Sequence, residues 1–178
     1  MSLGTGIGGY GGESEITLSN GTKATGDDGD DGTAGIIFPF QAKYSLSDKW
    51  NIGLFFGGLS HFHDEEDSLK FAKTNYFGIT GSYYVMHKES SGIVLSLGFG
   101  GASHKQEKNN GTEFEFKVFL DGTYLNKFSD TFGFYLNLGF HNYTFDLDDD
   151  GDLKTIGIEK WEWSFKGLEV GAGLFVTL

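Results

Sequence analysis

The stretch Phe132-Gly133-Phe134-Tyr135-Leu136-Asn137-Leu138-Gly139-Phe140-His141 decides the fold. Every second residue from Phe132 is large and apolar: Phe132, Phe134, Leu136, Leu138 and Phe140. The residues between are Gly133, Tyr135, Asn137, Gly139 and His141. Strict alternation over this length is the period of a β-strand with two chemically distinct faces. A short polar turn over residues 127–131 leads into it. An acidic tract follows it, Asp146-Leu147-Asp148-Asp149-Asp150-Gly151-Asp152.

The same sequence of short turn, two-faced strand and long polar connection recurs along the chain. Strands are expected at Leu3–Gly12, Ala34–Tyr44, Trp50–Ser60, Thr74–Met86, Gly92–Ala102, Glu113–Asn126, the stretch from Phe132, and Trp161–Leu178. That predicts eight strands, with connections alternating long and short and both termini at the short-turn end. Pro39 lacks a ladder donor, so a bulge or local irregularity is expected there. The alternation of the last strand slips between Phe165 and Leu168, which predicts a second bulge.

At 178 residues the chain reads as one domain, 1–178. No window approaches the roughly 20 consecutive apolar residues of a spanning helix. With no cysteine there is no disulfide framework. All 13 basic residues are lysine and the net charge is −12, which opposes nucleic-acid binding. No secretory leader precedes the first strand, so a mature chain is expected.

The apolar faces look either into lipid or into a soluble core. A lipocalin-like ligand-binding barrel would turn Phe134 and Leu136 inward. Three features favour lipid. The 29 glycines have no use on a solvated face, whereas in a narrow lumen they make room for larger side chains. Aromatic residues end the apolar face at both rims: Tyr44, Trp50, Tyr124 and Phe132 near the short turns, Phe77, Trp161 and Trp163 near the loops. Most of the negative charge falls in the long connections. The fold expected is an all-β, eight-stranded antiparallel up-and-down transmembrane β-barrel.

On these grounds the chain resembles the small outer-membrane barrels, the class of the OmpA transmembrane domain, OmpX and OmpW. The turn Tyr44-Ser45-Leu46-Ser47-Asp48-Lys49-Trp50 is similar to the periplasmic hairpins of that class. The closing Gly171-Ala172-Gly173-Leu174-Phe175-Val176-Thr177-Leu178 resembles its final strand, although an aromatic residue usually stands where Leu178 does. The resemblance implies a monomer in the bacterial outer membrane, in contact with bilayer lipid and lipopolysaccharide.

Four constellations bear on chemistry. Asp146-x-Asp148-x-Asp150-Gly151, with Asp152, opens like a calcium loop but has Gly157 where the closing glutamate belongs. Asp27, Asp28, Asp30 and Asp31 repeat the composition in the first connection. A solvated acidic loop is the plainer reading; calcium or magnesium held there, or bridged to lipopolysaccharide phosphate, is the alternative. His61 and His63, followed by Asp64 to Asp67, offer a transition-metal pattern in what reads first as an acidic loop. Gln41, Lys43, Glu115, Lys117, Asp121, His141 and Glu169 share the lumen face, where they would form ion pairs and hydrogen bonds that fill the barrel. Finally, His141 with Ser164 and Glu162 suggests a Ser–His–acid set, but no nucleophile motif supports it and no catalysis is expected.

The role expected is structural or surface contact, with a largely filled polar lumen and acidic extracellular loops. A narrow porin-like channel for ions or small solutes is the alternative within the same fold.

Overall fold

The computed structural model describes residues 1–27, 33–65, 68–106, 109–147 and 157–178. Among them are nine strands: β1 (Ser2–Leu18), β2 (Lys23–Asp27), β3 (Thr33–Ser45), β4 (Trp50–Glu65), β5 (Ser68–His87), β6 (Ser91–Gln106), β7 (Asn109–Lys127), β8 (Phe132–Leu147) and β9 (Ile158–Val176). Neighbours are antiparallel throughout. β1 pairs with β9 from Ser2↔Phe175 to Leu18↔Ile158, which closes β1 and β3 to β9 into an eight-stranded barrel. Closure leaves the wall no open edge, which a lipid-exposed sheet requires.

β2 lies outside this count. Beyond Tyr10↔Thr33 the ladder between β1 and β3 ends, and β2 folds back on the upper part of β1 from Glu13↔Asp27 to Thr17↔Lys23. The reversal uses Gly21 at φ 81°, a conformation that favours glycine.

The segments expected as long loops are in large part wall. β4 and β5 stay paired to Glu65↔Ser68, and β6 and β7 to Gln106↔Asn109. β5 has 20 residues. At about 3.3 Å per residue and a tilt of about 45°, such a strand rises about 47 Å, against about 25 Å for the apolar band of this kind of barrel. The wall therefore stands roughly 20 Å above the band at the end away from the short turns.

The outer face carries the apolar residues. Leu138 is 56% exposed, Leu174 62% and Ile7 67%. A contiguous surface of this kind is costly in water and at ease against hydrocarbon. The lipocalin-like alternative, which needs these side chains inside, is thereby removed. At the short-turn rim Tyr44, Trp50, Tyr124 and Phe132 are exposed as expected. There the Trp50 and Tyr83 rings stack at a tilt, 4.8 Å apart. At the opposite rim Phe77 is exposed; Trp161 and Trp163 have side chains outside those described.

Of the two expected irregularities, the one in the last strand needs correction. β9 keeps one register against β1 and β8 from Trp163 through Phe175, so no bulge lies between Phe165 and Leu168. Instead the polarity of the two faces inverts. Leu168 and Val170 are exposed on the outer face, and Lys166 follows them on that face, where it meets Glu13 at 2.6 Å. Phe165 packs inward against the lumen core. Above the lipid band the outer face meets water and takes charge, while the inner face still has to be filled. Register shifts occur elsewhere, at Thr17/Leu18, Tyr84/Met86 and His104/Gln106. At Pro39 the pairing with β4 is continuous, but the β1–β3 ladder skips from Leu3↔Phe40 to Gly6↔Ile37 without changing register. The ladder is interrupted at the proline, the local irregularity expected there, and no residue is inserted.

Candidate functional site

The lumen holds the only cluster of fully buried charge among the described residues. Lys117 and Asp121 come from β7, His141 from β8 and Glu169 from β9; each is 4% exposed or less. Alternation places them: Lys117, Phe119 and Asp121 share the inner face of β7, as do Gly139, His141 and Tyr143 on β8. Register then sets them side by side, through Lys117↔Tyr143, Phe119↔His141, Asp121↔Gly139 and Gly139↔Glu169.

Glu169 is the hub. Its Oε1 accepts hydrogen bonds from the Tyr10 hydroxyl at 2.6 Å and the Tyr143 hydroxyl at 2.7 Å. Lys117 Nζ donates to the Tyr143 hydroxyl at 2.6 Å and lies 3.9 Å from Glu169 Oε1. The same ammonium sits 3.7 Å from the Tyr76 ring centroid and 4.4 Å from that of Tyr143, within cation–π range. His141 stands between two acids. Its Nε2 is 2.8 Å from Asp121 Oδ1 and its Nδ1 3.0 Å from Glu169 Oε2. The imidazolium form has a proton on both ring nitrogens. In that form two cations face two carboxylates, and the buried charge sums to zero. The ring also stacks on Phe119, centroids 5.2 Å apart at 13°.

Glycine makes the cluster possible. A Cβ on Gly139 would overlap Asp121 Oδ1, and one on Gly98 would overlap the Phe119 ring. Around the charges, Tyr10, Ile37, Phe55, Leu59, Tyr76, Ala102, Phe119 and Tyr143 form a buried belt across the barrel. Charges and belt together fill the middle of the lumen.

Below the cluster is a vestibule of about 780 Å³. Residues of the short turns, among them Ser47, Asp48, Lys88 and Ser90, form its mouth, and Lys117, Asp121, His141 and Glu169 form its roof. Gln41 and Lys43 line its wall. Lys43 reaches from β3 across to Ser96 on β6, where Nζ donates to Oγ at 3.1 Å; Ser96 Oγ is 2.9 Å from Ser82 Oγ.

Of the seven residues expected in the lumen network, four meet at the hub and Lys43 and Gln41 line the vestibule. The Glu115 side chain lies outside those described. So do all the expected metal-loop carboxylates: Asp28, Asp30, Asp31, Asp148, Asp150 and Asp152 are outside the described residues, and only the backbones of Asp27 and Asp146 are described, at strand ends. The side chains of His61, His63 and Asp64 to Asp67 lie outside as well. The Ser–His–acid set does not form. Ser164 pairs with Thr144, three positions along from His141↔Gly167, and shares the outer-face parity of Lys166 and Leu168, as does Glu162. The tyrosines were missed. Tyr143, two residues after His141, and Tyr10, which closes the row Gly4, Gly6, Gly8, both carry the lumen parity that marks them.

No family model and no curated protein matches this chain. Among solved structures it is similar to the outer membrane protein OprG from Pseudomonas aeruginosa, at 13% identity and a TM-score of 0.52, over 99% of this chain and 95% of that one. It also aligns with the N-terminal β-barrel domain of Pseudomonas aeruginosa OprF, at 14% identity and a TM-score of 0.44, over 98% and 100%. The outer membrane enzyme PagL aligns at 9% identity and 0.49, over 94% and 97%. At such identities the likeness is one of fold. The fold is that of the small outer-membrane β-barrels, and it carries no decision for or against catalysis.

Proposed function

We propose that this chain is an integral protein of the bacterial outer membrane whose sealed barrel anchors long hairpins at the cell surface. One observation carries the reading: the Lys117–Tyr143–Glu169–His141–Asp121 network, with the aromatic belt around it, occupies the lumen. An eight-stranded barrel is narrow enough for side chains to fill. By the usual orientation of such barrels the short turns face the periplasm and the tall wall faces outward. The surroundings are bilayer lipid and lipopolysaccharide, and the unit is a single chain. On this reading the acidic tracts at residues 27–31 and 146–152 meet the lipopolysaccharide surface, with calcium or magnesium as the bridging ion. No catalysis is assigned, because both ring nitrogens of His141 face carboxylates.

A narrow channel is the second reading, and the vestibule favours it, since half the path already exists. Planar-bilayer recording separates the two. The sealed barrel predicts no stepwise conductance for the native protein and steps for Tyr76→Ala/Tyr143→Ala, which removes two rings from the belt. Steps in the native protein would overturn the anchor in favour of the channel.

A further inference from the structure

We propose that a groove in the lipid-facing wall, over β1 between β9 and β3, seats one acyl chain of lipid A, with the lipid A phosphate toward Lys73 and Lys105. The inference rests on the outer-membrane reading above, with the short turns in the periplasm. The groove has a volume of about 370 Å³. Its floor is a rung of small residues: Gly9 pairs with Ala34 on β3 and, on its other side, with Leu168 on β9. The next outer-face rung toward the short turns is Val170, Ile7 and Ile36, all exposed to lipid. Packing within the chain does not account for Gly9. The lumen glycines Gly98 and Gly139 stand where a Cβ would overlap a side chain, whereas a Cβ on Gly9, or on Gly11 next on the same face, meets nothing within 4 Å. Glycine inside a strand costs about 0.5–1 kcal/mol relative to alanine, and it marks places where a ligand comes close to the backbone. Hydrocarbon lies outside this wall, so what comes close to Gly9 is an acyl chain.

The head group is argued from depth and charge. The groove lies just under the polar boundary: on β9 the next outer-face residue above Leu168 is Lys166, at the surface with Glu13. On the other side the rung of Ile7 and Ile36 continues through Ser60 on β4 to Lys73 on β5 and Lys105 on β6. Backbone pairing thus sets two lysines directly opposite each other on the outer face. Like charges so placed destabilise a sheet, and an oxyanion shared between them relieves the repulsion. The adjoining rung toward the lipid is Gly58, Asn75 and Ser103, which brings no carboxylate and offers an amide and a hydroxyl. By contrast Lys23, Lys160 and Lys166, on β2 and β9, each meet a glutamate. At about 4.8 Å per strand, Lys73 and Lys105 stand about 10 and 14 Å from Ile36. A head group that carries its phosphate on a sugar, away from the acyl chain, bridges that distance. In the orientation taken above the boundary lies in the outer leaflet, where lipid A is the lipid of that description.

The test is native mass spectrometry of the full chain folded in detergent, titrated with bisphosphorylated lipid A, with dephosphorylated lipid A and with phosphatidylethanolamine. One bisphosphorylated lipid A per chain is expected, held more tightly than either of the others. Gly9→Phe fills the groove from a position where a Cβ meets nothing, so heat-modified gel mobility stays native while both forms of lipid A bind about tenfold more weakly or worse. Ala34→Phe repeats this from the opposite strand. Lys73→Gln/Lys105→Gln weakens the bisphosphorylated form about tenfold, the loss expected of a charged hydrogen bond, and leaves the dephosphorylated form unchanged. No saturable binding to the native protein, or native affinity in folded Gly9→Phe and Ala34→Phe, overturns the groove. Equal affinity for the two forms of lipid A, or native affinity in the double lysine variant, overturns the phosphate site. Phosphatidylethanolamine held as tightly as lipid A overturns the identity of the lipid. A chain that folds in plain buffer without detergent fails the outer-membrane reading itself; one that folds only in detergent and holds no lipid A fails this inference alone.

Discussion

Glu169 shows what a buried charge in a narrow lumen needs. It takes two tyrosine hydroxyls on one oxygen, has His141 at the other and Lys117 close by. Removing one member of such a set strands its partner, which costs far more than the set contributes as a whole. Lys117→Met is therefore expected to destabilise the barrel by about 3–5 kcal/mol. Lys117→Met/Glu169→Gln, which removes both charges, should cost less than Lys117→Met alone. Urea unfolding in liposomes checks this. A double variant weaker than Lys117→Met would show that the ion pair is not what holds the hub together.

At the scale of the element, β9 carries the lesson. Trp161, Trp163 and Phe165 look like a continuation of the apolar face of Leu168, displaced by one residue, and the sequence alone reads that displacement as a bulge. The register is unbroken; the solvent outside changes from lipid to water at Lys166, and Phe165 packs on the inner face. The two accounts predict opposite costs. With Phe165 inside, Phe165→Ala is expected to cost about 3 kcal/mol through lost packing. Lys166→Ala, which removes an exposed ion pair, should cost at most about 1 kcal/mol. Thermal unfolding followed by gel mobility ranks them, and the reverse order would restore the bulge.

For the whole molecule the controlling fact is that the hydrocarbon lies outside. Leu138 is 56% exposed and pairs with Gly122 and Val170, well inside the apolar band of β8. Leu138→Lys places an ammonium in lipid, at a cost of about 2–4 kcal/mol near the midplane. The same substitution on the surface of a soluble barrel would be nearly neutral. Equilibrium unfolding in lipid vesicles reads the difference, and a neutral Leu138→Lys would contradict the membrane assignment.

The eight strands, their inner and outer faces and the four charges of the hub could all be read from period-two alternation, because a strand sends neighbouring side chains to opposite faces whatever surrounds it. Lys117, Asp121, His141 and Glu169 carry the lumen parity of their strands for that reason alone. What alternation could not supply was register between strands. Register decided that Glu169 falls beside Gly139 and within reach of His141, that Tyr10 and Tyr143 share one carboxylate oxygen, and that Ser164 stays away from His141. It also carried the polar segments up into paired wall where loops were expected. A one-dimensional pattern records which face a residue occupies and how the polarity of that face changes along the strand. The depth of the lipid, and which partner stands across the ladder, are properties of the closed barrel.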